Sequence, residues 1–201
     1  MGWQVKRGFV SAAGADAKYH EVGAAVYGLN TTGSITHLDI VPQGTTVLTR
    51  VGKSYQINTI QIRGYVQADS AATVNMVAMY LVWDNQPNKA LAAINDVING
   101  TNPYSFSRRE NVARFTILKK WIRVLEGNNA AGGQTGKTTF VIDYYKKVKN
   151  RGLIAQCTSA DTTGVIGNRI NGALLLITVG DSIAGTSDAN ANLTMRLGFN
   201  D

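Results

Sequence analysis

Cysteine is almost absent: Cys157 is the only one in 201 residues. A lone thiol closes no internal disulfide, so the fold owes nothing to an oxidising compartment, and an intracellular life is expected. Histidine is nearly as scarce, with His20 and His37 alone, too few for a histidine-rich metal site or most acid–base constellations. No stretch approaches the ~20 consecutive apolar residues of a membrane helix. The opening Met1-Gly2-Trp3-Gln4 lacks the apolar centre of a signal peptide, and Lys6 stands where a myristoylation motif wants Ser or Thr. Acidic residues are outnumbered, 13 against 20 basic ones, for a net charge of +7. That imbalance favours a polyanionic partner over an acidic surface of its own.

What the chain does have is alternation. Hydrophobic residues make up 44% and charged residues 16%, a composition that folds, at a length that fits one domain. Period-two segments rich in β-branched and aromatic residues recur: "SITHLDIVP", "QINTIQIRGYVQ", "TVNMVAMYLVWD", "RFTILKKWIRVLE", "TTFVIDYYKKV", "LIAQCTS", "GALLLITVGD" and "NLTMRLGF". About eight strands predict an all-β sandwich or jelly roll. One segment, "NKALAAINDVIN", has helical spacing at Leu91, Ile94 and Val97, with Pro87 and a candidate cap at Asn88. Residues 1–33 show no sustained period and read as a partly irregular N-terminal arm, leaving 34–201 as the folded domain.

Two strings imitate a nucleotide-triphosphate site: "AGGQTGKTT" at 131–139 and "LLLITVGD" at 174–181. A phosphate loop must open a helix, whose N–H groups and dipole hold the anion. Here "TTFVIDYYKKV" follows, a strand pattern, and Ala131 takes the place of the motif's first glycine. Lys137 therefore reads as a loop lysine. His37 and Asp39 share a strand face and form at most a weak metal pair, with a surface pair as the ordinary reading. Asp161, Asp181 and Asp188 are turn residues that could offer calcium ligands only if loops of neighbouring subunits converged. No catalytic residue, cofactor or metal is expected.

Positive charge is clustered. "KKWIRVLE" carries Lys119, Lys120 and Arg123; "YYKKVKNRG" carries Lys146, Lys147, Lys149 and Arg151 beside Tyr144 and Tyr145; Arg108, Arg109 and Arg114 form a third group. Cations interleaved with aromatics neutralise phosphates and stack bases, which suits sequence-blind binding of a single strand. The competing reading is that they keep sheet edges from pairing. Candidate nucleic-acid residues are Lys6, Arg7, Lys18, Lys146, Lys147, Lys149 and Arg151.

The ordered strings "TRVGKSYQINTIQIRGYV", "MYLVWDNQP", "ALAAINDVIN", "SRRENVARFTILKKWIRVL" and "GALLLITVGDS" resemble the coat proteins of small CRESS-DNA viruses, geminivirus-like ones among them, and those of satellite plant viruses. The resemblance spans roughly residues 34 to 199. It implies an eight-stranded antiparallel jelly-roll sandwich of sheets B-I-D-G and C-H-E-F. Strand B would begin at 34 and strand I end at 199, with one short helix between the strands at 73–84 and 114–126, D and E. It also implies a non-enzymatic capsid protein whose partner is itself. About sixty copies would form an icosahedral shell around single-stranded nucleic acid, DNA foremost, in a virion assembled in the host nucleus or cytoplasm. Trp83, Pro87, Tyr104, Arg108 and Arg109 are then candidate subunit contacts. No membrane partner is expected. The Arg-rich leading segment of many such coat proteins is missing from residues 1–33. A ligand-binding, lectin-like module on the same fold is the alternative reading.

Overall fold

Strand periodicity governs nearly the whole chain. The computed structural model describes residues 18–127, 137–148, 153–158, 161–185 and 187–201. Within them the strands are Lys18–Leu29 (β1), Ser34–His37 (β2), Ser54–Gln67 (β3), Val74–Asp84 (β4), Phe115–Glu126 (β5), Thr139–Lys147 (β6), Leu153–Cys157 (β7), Arg169–Asn171 (β8), Ala173–Gly180 (β9) and Ala189–Asn200 (β10). One sheet has six strands in the order β1-β10-β3-β7-β8, with β6 also on β3; the other has the order β2-β9-β4-β5. The named pairings are antiparallel.

Two short strands divide one side of β3. Thr59 to Gln67 pair with Lys147 to Thr139, and Ser54 to Ile57 pair with Gln156 to Leu153. β6 and β7 thus act as one interrupted strand, and the three-residue β8 is an addition beyond it. Lettered in chain order from β1, the sheets read B-I-D-G and C-H-E-F, which is the expected jelly roll.

The lettering itself needs a correction, because strand B is β1 and lies inside the stretch read as an arm. Its inward residues are His20, Val22, Ala25, Tyr27 and Leu29, which sit opposite the inward set of β10, and the register slips between Val22 and Ala25. That bulge at Gly23-Ala24 breaks the period, and small residues blur the rest. The strand at 74–84 accordingly becomes E.

The helix follows this strand as expected but is only Ile94–Val97 (α1). Asn88 and Lys89 turn the chain with φ of 52° and 61°, so Asn88 cannot cap it, and Ala93 stands at the N-cap.

Inward residues of both sheets form the main core, including Ile57, Ile60, Ile62, Met79, Leu81, Leu174, Leu176, Leu197 and Phe199. A second core lies on the other face of the four-stranded sheet. There Ala92, Val97 and Ile98 from the β4–β5 connection cover Tyr80, Val82, Leu175 and Ile177. β9 is consequently buried on both faces along its whole length, the reason "ALLLITVG" reads as a continuous apolar run. Gly64 marks the tightest strand contact: a Cβ there would lie 1.9 Å from the Asn192 carbonyl oxygen.

Candidate nucleic-acid interface

β5 is an edge of the four-stranded sheet, and β6 pairs only with β3 in the other. The two strands close one flank of the sandwich. Arg123 lies 4.7 Å from the centre of the Phe140 ring, and Trp121 meets Tyr144 edge-on with centres 5.4 Å apart. The strands run in opposite directions, so the next inward-facing positions along each are Lys119 and Lys146. Lys120 and Lys147 occupy the outer faces of the same two strands, Lys120 with its Nζ 4.9 Å from the Tyr80 ring centre. Partial burial lowers the Lys120 pKa.

None of these five cations has an acidic partner among the described residues. Lys53, Lys89, Arg109 and Lys137 also lack an acidic partner among the described residues but lie apart from one another in the chain, whereas other basic residues are paired. Arg63 pairs with Asp143 at 3.2 Å and Arg108 with Glu110 at 3.0 Å. Arg196 pairs with Glu21, and Arg114 grips Asp84 through two hydrogen bonds of 2.9 Å. Five unpaired cations therefore line a flank where Phe140 and Tyr144 are half-buried and Tyr145 is exposed on the outer face, while Trp121, 8% exposed, belongs to the main core beneath them. Cations set among rings on a long edge are what a flexible polyanion with stackable bases requires.

The candidates named from the sequence separate. Lys147 is exposed, whereas Lys146 is half-buried and faces inward, since neighbours in a strand point to opposite faces. Lys18 is buried and bound to Asp201 at 2.9 Å, so its charge is already neutralised inside the protein. Lys6, Arg7, Lys149 and Arg151 lie outside the described residues. Sequence clustering had kept 119–123 apart from Lys146 and Lys147; the antiparallel run of β5 and β6 joins them.

The interface candidates also divide. Trp83 is 4% exposed and belongs to the main core, and Pro87 is buried as well, so both serve the subunit's interior. Tyr104 is exposed, Arg109 is exposed, and Arg108 is half-buried. The sequence reading missed Phe106, the most exposed large apolar side chain among the described residues at 86%, and Val112 at 71%. Both lie with Tyr104 on the β4–β5 connection.

The nucleotide motif resolves as expected at its decisive point: Thr139 begins β6, a strand rather than a helix. The Lys137 carbonyl accepts a hydrogen bond from the Glu126 N–H at 3.1 Å; residues 128–136 lie outside the described residues. Asp181, its supposed partner, accepts from the Met76 N–H at 2.9 Å.

His37 and Asp39 are neither a surface pair nor a metal pair. Asp39 is fully buried, with His37 Nε2 at 2.7 Å, Arg169 at 3.4 Å and the Leu174 N–H at 2.8 Å. The Tyr55 hydroxyl donates to it at 2.8 Å. Burial pushes the Asp39 pKa up, but Arg169 and His37 outweigh it and hold the carboxyl below its usual value. Asp161, 1% exposed, accepts from Arg50 at 2.8 Å, from the Gly164 and Thr163 N–H groups at 2.9 Å, and from the Asn168 amide at 2.9 Å. Burial opposes these donors and loses, so its pKa is strongly depressed. No group of three or more metal-ligating side chains occurs among the described residues.

Among curated proteins none matches this chain. The solved structure of Desmodium yellow mottle tymovirus is similar at 11% identity and a TM-score of 0.33, over 98% of this chain and 94% of its own. That of infectious bursal disease virus, Gt strain, is similar at 8% identity and a TM-score of 0.24, over 98% of this chain and 45% of its own. A family model gives the assignment that these distant likenesses do not: matched over residues 13–201, the chain belongs to the geminivirus coat protein/nuclear export factor BR1 family and is a viral coat protein.

Proposed function

We propose that this coat protein assembles with copies of itself into a small icosahedral shell, about sixty subunits in the simplest case, and encloses single-stranded nucleic acid, with DNA as the expected genome. Its role is structural rather than catalytic, and assembly takes place in the host nucleus or cytoplasm. The observation that carries the nucleic-acid reading is the β5–β6 flank: Lys119, Lys120, Arg123, Lys146 and Lys147 without acidic partners among the described residues, beside Phe140, Trp121 and Tyr144. Subunits carrying +7 each would give a sixty-copy shell roughly +400 of charge to set against phosphate. Tyr104, Phe106, Arg109 and Val112 on the β4–β5 connection supply an exposed apolar and basic surface for subunit contact.

The test is binding of a single-stranded oligodeoxynucleotide across a salt series. Affinity falls steeply with salt in the native protein, and replacing Lys119, Arg123 and Lys147 by Gln flattens the slope by ~0.7 per lost phosphate contact. An unchanged slope would remove the flank from the interface.

A further inference from the structure

Next to the basic flank, past Thr116 at the start of β5, a cleft of about 400 Å³ opens between the two sheets, lined by Trp83, Asn85, Thr116, Ile154, Gln156 and Asn171. It lies at the same side of the sandwich because β5, followed backwards from Arg123 to Thr116, keeps pace with the interrupted strand β6–β7 followed forwards from Phe140 to Leu153 and Ile154. Thr116 is three residues from Lys119, about 10 Å of strand, so an occupant of the cleft would have its backbone among the flank's cations.

The cleft's lining is mixed in a specific way. Ile154, 54% exposed, gives apolar surface, and Trp83, 4% exposed, lines the cleft from the core side. Around them stand amides and a hydroxyl. The Asn171 amide donates to the Gln156 side-chain oxygen at 3.0 Å across β7 and β8. That bond leaves the Asn171 oxygen and the Gln156 amide nitrogen without partners among the described residues, one acceptor beside one donor. Interchanging oxygen and nitrogen in both side chains keeps the same complement. The Asn85 amide donates to the Ala113 carbonyl at 3.2 Å, which leaves its oxygen as a further acceptor. Gly172, next to Asn171, has φ of 70° and no room for a Cβ, which would lie 2.5 Å from the Trp83 ring; this fixes the backbone at the cleft's edge.

A flat heterocycle with adjacent donor and acceptor groups and an apolar face matches this lining, and single-stranded nucleic acid offers such groups once its bases are unstacked. We infer that the cleft receives one nucleobase of the strand whose phosphates are neutralised along β5 and β6. Asn171, Gln156 and Asn85 contact the base edge, and Ile154 its face. This rests on the nucleic-acid reading of the flank and adds a base-contacting site to it.

The experiment compares the full-length protein's affinity for a dye-labelled single-stranded oligodeoxythymidylate and for an abasic strand of equal length and charge, each across a salt series. The native protein should bind the strand with bases about tenfold more tightly, the two sharing one salt slope. Asn171→Leu with Gln156→Leu, an apolar pair suited to one exposed and one half-buried strand position, should cut the preference severalfold, leaving only what the flank rings contribute, and leave the slope unchanged. Equal affinity of the native protein for both strands, with steep salt dependence, overturns the cleft and spares the flank. A preference undiminished by the double substitution also overturns the cleft. Weak, salt-independent binding of both strands overturns the flank and the cleft together.

Discussion

At the scale of single residues, the strongest constraints are two arginines with no exposure at all. Arg50 ties the loop before β3 to Asp161 while donating to the carbonyls of Val41, Gly52 and Asp161 at 3.2, 2.6 and 2.7 Å. Arg169 lies 5.0 Å from the Tyr55 ring centre and pairs with Asp39. Removing one member of a buried ion pair strands the other's charge, so Asp161→Asn should lower unfolding free energy by ~3–5 kcal/mol in urea denaturation. Asp39 and Asp161 both titrate below the usual carboxylate value when folded. Their stabilisation is therefore complete above pH ~4, the unfolded value, and declines as pH falls from there toward the folded values. Urea midpoints should drop as pH falls below ~4, and Asp161→Asn should shrink that drop. Lys18→Ala removes the bond to Asp201 and should lower the thermal midpoint with no change in affinity for single-stranded DNA.

At the scale of elements, β5 and the β4–β5 connection divide the work. The flank formed with β6 is proposed to meet nucleic acid, and the connection to meet other subunits. Phe106, at 86% exposure, touches little in its own chain. Phe106→Ser should leave the isolated subunit's stability within ~0.5 kcal/mol and raise the concentration needed for assembly, as read by sedimentation. The strands were legible because period-two patterns such as "QINTIQIRGYVQ" impose one face on the core whatever the neighbours are. β1 was not, because the bulge at Gly23-Ala24 shifts its inward set by one position partway along. The helix was overread: Leu91, Ile94 and Val97 have the spacing, but the positive φ of Asn88 and Lys89 spends the first residues on a turn. Linear clustering of charge was a partial guide. It did not show that Lys146 and Lys147 reach the flank from opposite sides of β6, and it separated Lys119 from Lys146 although their strands lie together. Neither relation exists until the strands are placed.

At the scale of the whole molecule, a jelly roll with two cores and one unneutralised flank has the parts of a shell subunit that holds a charged strand. Coat-protein family membership sets the class, and the unpaired cations of β5 and β6 are the basis for proposing that flank as the nucleic-acid side. Size, symmetry and contents of the particle are properties of many copies together. The measurement that bears on them most directly is electron microscopy of purified protein at moderate salt with single-stranded DNA added. Closed, uniform icosahedral particles whose interior density disappears when the DNA is omitted are the predicted result. Isolated subunits or irregular aggregates under every ratio of DNA to protein would contradict the account.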